Sequence, residues 1–487
     1  MSGSTLLIAA VVIPLLAAAL IPLFHKWPDL REGVTLTAAL ALFAVTMILL
    51  VSVMGGERPQ AGGLDIGVGL RLAFAIEPLG MLFAVVASSL WIVNSIYSIG
   101  YMRGNKEPRQ TPFYVCFAVA ISSVMVIAYS GNLFTLFLGY EVLTLSTYPL
   151  VTHKGNEDAK RAGRVYLLML LGSSMLLLLP AIIWTWYLAG TVSFTPGGVL
   201  PSTVAPAAIG LLLGLFAFGI GKAAVMPMHF WLPRAMVAPT PVSALLHAVA
   251  VVKAGVFTML KVVVYIFGID TLAASGQGEW LVYVAAATVL LASLIAMTKD
   301  NLKARLAYST ISQLSYVVLG AALATGPAMI GGGLQIAMHA AGKITLFFCA
   351  GAIYTAAHKT EISDMKGLGR AMPFTFAAFA VGALSIIGLP PMGGVWSKWY
   401  LALGALQADQ VFVVAVLMIS SLLNVAYLLP IPIRAFFDGG AAPKGKTAIK
   451  EAPLPCLIAI GATSLACIAL FFFPGPIFDL LGQIAVR

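Results

Sequence analysis

Charge is what this sequence has least of. Only 9% of its 487 residues are Asp, Glu, Lys or Arg, whereas 60% are hydrophobic and the mean hydropathy is +0.99. That balance excludes a water-soluble domain and implies a polytopic membrane protein. Cysteine is scarce as well. Cys116, Cys349, Cys456 and Cys467 stand singly in apolar stretches, without CxxC or Cys/His spacing, which argues against a metal or iron–sulfur site. No ligand pattern for haem or flavin is visible, so no cofactor and no catalytic redox site are expected. No linker is long or polar enough to be a soluble domain. The net charge of +10 invites a nucleic-acid partner, but the placement of the charges assigns it to membrane orientation instead.

With about 20 apolar residues per crossing, hydropathy gives fourteen helices. Their centres lie near residues 15, 45, 85, 121, 142, 175, 215, 252, 288, 313, 343, 386, 422 and 467. The first apolar segment is long and lacks a basic leader, so it reads as a retained span. With both termini placed outside, twenty of the 28 Lys and Arg fall on inner loops, among them Lys26, Arg31, Arg103, Lys303, Lys444 and Lys446. Arg58, Arg71 and Arg487 fall outside. That asymmetry favours outer termini. Five lysines remain inside apolar stretches: Lys222, Lys253, Lys261, Lys343 and Lys398.

Residues 131–151 align without gaps on 300–320, with Asn132/Asn301, Leu133/Leu302, Leu145/Leu314 and Ser146/Ser315 coincident. These segments are the fifth and tenth helices, an odd separation, so they point opposite ways. Pro227-Met228 recurs as Pro391-Met392, each pair close to a lysine and a tryptophan. The all-α arrangement expected is two inverted five-helix repeats with broken helices 7 and 12. Helices 1–3 occupy residues 1–110, the first repeat 111–268, the second repeat 280–437, and helix 14 residues 452–487.

A lysine in hydrocarbon costs roughly 2.5–3.5 kcal/mol on insertion scales, so each buried one needs a reason. Glu141 sits in an otherwise uncharged helix, and Lys222 is its natural partner. His247 and Lys253 are six residues apart, on different faces of a regular helix. Either that helix deforms, or the two serve successive stations. Gln335, His339 and Lys343 form one polar stripe at i, i+4, i+8. A seam gluing two helices would also give such a stripe, although a lysine is a poor choice for glue alone. Lys398 follows the break GLPPMGG at 388–394; its bland alternative is snorkelling to the outer interface. Lys261 is expected to snorkel, His229 to anchor at the interface, and Glu77 to have no role. A file of Glu, Lys, His and Lys through two repeats can relay protons when burial tunes its members.

At these residues the chain resembles a known family. KAAVMPMHFWLPRAMVAPTPVSALLHAVAVVKAGVF is similar to the signature of the antiporter-like subunits of respiratory complex I and of the Mrp-type cation/proton antiporters. YSIGYM (97–102), KDNLKARLAYSTISQLSY (299–316), HAAGKITLFFCAGAIY (339–354) and GLPPMGGVWSKWY (388–400) carry the likeness across residues 70–430. It is nearest to the amino-terminal region of the large Mrp subunit and the largest antiporter-like subunit of complex I. The resemblance implies a proton path through Glu141, Lys222, His247, Lys253, His339, Lys343 and Lys398. Gln335 departs from it, standing where some members have histidine. The resemblance further implies other membrane subunits as partners, protons and in some members Na+ as cargo, and a place in the cell's inner (plasma) membrane bilayer. Any NADH or quinone chemistry would belong to partner chains. The long lateral helix of the largest complex I subunit is not found after helix 14, which suits an Mrp-like or membrane-bound hydrogenase-type assembly. A solitary transporter of an organic solute would instead need arginine or aromatic ligands at the midplane, and no arginine falls within a span.

Overall fold

An apolar run in a bilayer must satisfy its own backbone hydrogen bonds, and it does so by coiling. The computed structural model describes residues 2–67, 70–438 and 449–485, and among these twelve helices are long and apolar enough to cross a membrane. They are α1 (Gly3–Phe24), α2 (Pro28–Met54), α3 (Pro78–Gly104), α4 (Gln110–Ala128), α5 (Leu133–Val151), α6 (Glu157–Ala189), α8 (Thr240–Phe267), α9 (Glu279–Met297), α10 (Leu302–Leu323), α11 (Gly326–Ala357), α14 (Val411–Phe437) and α15 (Leu454–Phe472). Between them lie the shorter α7 (Pro206–Gly219), α12 (Pro373–Ile387) and α13 (Gly394–Gln407), and α16 (Gly475–Ala485) closes the described chain.

The expected centres near 215 and 386 fall on α7 and α12. Helices of 14 and 15 residues reach only about 21–23 Å, short of a hydrocarbon core of about 30 Å. Each stops at a Gly- and Pro-rich break, the first holding a cis Met226–Pro227 bond and the second a cis Pro390–Pro391 bond. The all-α expectation also fails locally. Residues 60–75 form an antiparallel hairpin of β1 (Gln60–Gly67) and β2 (Leu70–Ala75), pairing Gln60 with Ala75 and Leu64 with Leu72.

The hairpin roofs one face of the molecule. Ala75 donates to the Tyr129 carbonyl at 2.8 Å, and the Asn132 side chain donates to the Arg71 carbonyl at 2.8 Å. Gly3 lies against Pro59, and the Arg58 guanidinium donates to Gln483 at 2.6 Å, so both described chain ends gather on this face. At the start of α2 and the end of α3, Arg103 binds Asp29 at 2.6 Å and also Glu32. Lys444 and Lys446, expected on an inner loop, and Arg487, expected outside, lie outside the described residues.

Asn132 caps α5 by accepting from the Thr135 amide at 2.7 Å, and Asn301 caps α10 from the Ala304 amide at 3.1 Å. Such caps satisfy amides that have no partner in the first turn. α5 starts beneath the hairpin. α10 ends just before Gly326, which lines a cleft shared with Arg58 and Gln60 on the hairpin face. The two helices therefore run in opposite directions. α8 and α11 are buried along their whole apolar windows, and α10 almost entirely, whereas α1, α2 and α15 expose most of theirs. The buried lysines sit on or against this inner layer.

Candidate functional site

The chain leaves α7 at Ile220 and makes a single 3-10 turn, Gly221–Ala223, that presents Lys222 to α5. Gly255 of α8 makes this possible: a Cβ there would run into the Lys222 carbonyl and the Ala223 amide. Lys222 is fully buried. Its Nζ donates to the Tyr140 carbonyl at 2.8 Å and to the Thr144 hydroxyl at 2.6 Å, and it stands 3.2 Å from the centre of the Tyr140 ring. An ammonium over a desolvated ring gains about 2 kcal/mol. The expected contact with Glu141 is not made. No ion pair within 4 Å joins them, and neither Glu141 carboxylate oxygen has a hydrogen-bond partner among the described residues. Glu141 follows Tyr140 in α5, so the cation sits beside the carboxylate's neighbours rather than on it.

α8 is deformed where the sequence required a choice. Residues Ser243–Ala250 wind as a π-helix, beginning just after Pro239 and Pro241, and regular helix resumes at Val251. Such bulges follow when a helix must absorb an extra residue, and they recur at functional sites. The side chain of His247, within this segment, lies outside the described residues. Lys253 Nζ meets His339 Nδ1 of α11 at 2.7 Å, both groups fully or almost fully buried. His339 Nε2 has no partner among the described residues.

One turn along α11, Lys343 donates to Ser309 Oγ of α10 at 2.6 Å, and Tyr427 of α14 donates to the same oxygen at 2.9 Å. Tyr427 also binds Asn424. One turn the other way, Gln335 donates to Gln313 at 2.8 Å and accepts from Ser397 at 2.6 Å. The stripe thus reaches α13. There Lys398 donates to the Ile387 carbonyl, freed by the end of α12, at 2.5 Å and to Ser421 at 2.8 Å. Lys398 is engaged within the protein rather than extended to an interface.

Three residues were misread from sequence. Lys261 does not snorkel. It is fully buried, 2.6 Å from Glu77 Oε1, and donates to the Ser130 carbonyl at 2.7 Å. Glu77, given no role, is its counter-ion. The pair spans nearly 200 residues of sequence, so no local spacing could reveal it. His229 is buried against Phe230, with ring centres 4.1 Å apart, instead of standing at an interface.

Interrupted helices around a buried file of lysines define an antiporter-like membrane subunit. The chain belongs to the NADH:quinone oxidoreductase/Mrp antiporter transmembrane family, which matches residues 130–424. It is 32% identical over 459 residues to NADH-quinone oxidoreductase subunit N of Desulforudis audaxviator, covering 92% of this chain and 89% of that one. It is 33% identical over 422 residues to NADH-quinone oxidoreductase subunit L of Mycobacterium tuberculosis, covering 82% of this chain but 62% of that longer one. A chain in the structure of the Mrp complex from Dietzia sp. DQ12-45-1b superposes with a TM-score of 0.86 at 23% identity, covering 99% of this chain and 97% of that one. The fold is therefore that of a subunit found in multi-subunit membrane complexes.

Proposed function

We propose that this chain is a proton-translocating subunit of a multi-subunit inner-membrane assembly of the complex I, Mrp or membrane-bound hydrogenase kind, with Na+/H+ exchange as its coupled form in an Mrp-like setting. Residues 111–268 and 280–437 act as inverted repeats, each supplying half of the path, with both termini outside. The observation that carries the reading is the 2.7 Å contact between Lys253 and His339, because it joins the two halves through groups that can pass a proton.

In the first half, Lys222 moves between its present cradle on Tyr140 and Thr144 and the unpartnered carboxylate of Glu141. An ammonium bound to Glu141 holds its proton. Released from it, the buried amine gives the proton up, because desolvation disfavours the charged form. His247 and Lys253 receive it, His339 and Lys343 continue, and Lys398 ends the file. Histidine next to lysine suits transfer: neutral imidazole accepts at one nitrogen while donating at the other.

Lys253→Met, in the assembled complex in sealed vesicles, is expected to reduce driven proton translocation about 10²-fold or more, the scale of a lost proton-transfer group, and His339→Ala to remove the part that crosses to the second half. Subunit content on native gels stays unchanged. Normal translocation by both variants would remove the reading.

A further inference from the structure

Two clefts flank α8. One, of about 350 Å³, lies at its start and is lined by Tyr101, Thr240 and Lys303 among others. The second, of about 420 Å³, opens on the hairpin face at the other end of α8 and is lined by Arg58, Glu77, Tyr265 and Asp270. Glu77 therefore lines the cleft, and its partner Lys261 lies behind it, fully buried, 2.6 Å away. The cleft reaches an ionisable pair that the path through Lys343 and Lys398 does not use.

Lys253 and Lys261 lie eight residues apart in the regular part of α8, about 12 Å along the axis and about 80° apart around it, on one flank of the helix. Phe257 stands between them on that flank. Its ring centre is 5.5 Å from Lys261 Nζ, and it stacks on Phe83 of α3 at 4.9 Å. A phenylalanine plug between two buried lysines is the arrangement of an apolar gate, which excludes water until it moves.

We propose that Glu77, Lys261 and Phe257 form a gated outlet of the first half, through which protons from Lys253 reach the hairpin-face cleft without crossing to the second half. This rests on the proton-translocation reading above. From the ion pair, Lys261 ammonium passes its proton to the Glu77 carboxylate, leaving a neutral amine and a carboxylic acid. Glu77 releases that proton to water in the cleft and becomes carboxylate again. When Phe257 is displaced, Lys253 ammonium reprotonates the Lys261 amine through water, which restores the ion pair. Burial pushes the Glu77 carboxyl up, against the pull of Lys261 and Arg58, so it can hold a proton in passing. The alternative is a structural latch tying α3 to α8.

The test uses the assembled complex in sealed vesicles, measuring driven translocation and passive proton leak. Lys253→Met reports on the reading itself. Glu77→Gln combined with Lys261→Met removes both charges together, so no uncompensated buried ion remains. The outlet requires this double variant to lose about half of driven translocation, the share of one of two parallel routes, while assembling. Phe257→Ala is expected to raise passive leak severalfold, and adding Glu77→Gln is expected to abolish that rise. If the double variant translocates normally while Lys253→Met fails, the outlet is overturned and the pair is a latch. If Lys253→Met also translocates normally, the proton reading falls with it. Should the double variant not assemble, the leak decides: no leak in Phe257→Ala, or a leak indifferent to Glu77→Gln, overturns the outlet.

Discussion

At the scale of single residues, the site depends on what its smallest member omits. Gly255 lets the α8 backbone touch the turn that carries Lys222. Any side chain there must push that turn away from Tyr140 and Thr144, although every titratable group survives. Gly255→Ala is expected to destabilise the protein by about 1–3 kcal/mol, as overpacking does. It should also cut translocation about tenfold, since geometry alone can carry such a loss. Thermal unfolding and vesicle assays on one preparation check both. Unchanged transport would mean that the Lys222 position is not critical. Glu141 shows the opposite logic: a buried carboxylate without a donor is costly to keep unless a cation visits it.

At the scale of elements, the break after α12 exposes a backbone carbonyl where a lysine uses it. α12 ends at Ile387, Gly388 takes a φ of +83°, and the freed Ile387 carbonyl receives Lys398 from the first turns of α13. A non-glycine residue adopts that φ only with strain. The Lys398 ammonium thus lies at the carbonyl end of α12. If Lys398 is the last station of the second half, Lys398→Met should block transfer through that half. Lys398→Arg should fail too, because guanidinium keeps its proton. Lys398→Glu should retain a measurable rate, since a carboxyl can load and release. Normal translocation with methionine would leave Lys398 as a cap on α12.

At the scale of the whole molecule, the polar file is enclosed by α8, α10 and α11 while the outer helices present large apolar side chains. Leu168, Leu176 and Tyr187 on α6 are 75%, 74% and 79% exposed. Such a belt suits lipid or neighbouring subunits. Nothing in the file supplies a driving reaction, so the chain reconstituted alone is expected to show no vigorous cation/proton exchange in a pH-jump fluorescence assay. Robust exchange by the lone chain would make it an autonomous transporter.

Hydropathy alone was sufficient for the helical membrane character, because one-dimensional composition decides whether a segment can leave water. The family likeness came from motifs such as GLPPMGG and the stretch 222–257, where prolines, glycines and lysines occur together. Helix phase, which is local, revealed the stripe Gln335–His339–Lys343. Partners far apart in sequence were not legible. The contacts of Lys253 with His339 and of Lys261 with Glu77, the seat of Lys222 on Tyr140, and the hairpin at 60–75 depend on which helices pack against α8. That packing follows from summed side-chain shape across the interior, which no window of sequence contains. A buried lysine announces that it needs a counterpart, but only the fold decides which one it meets.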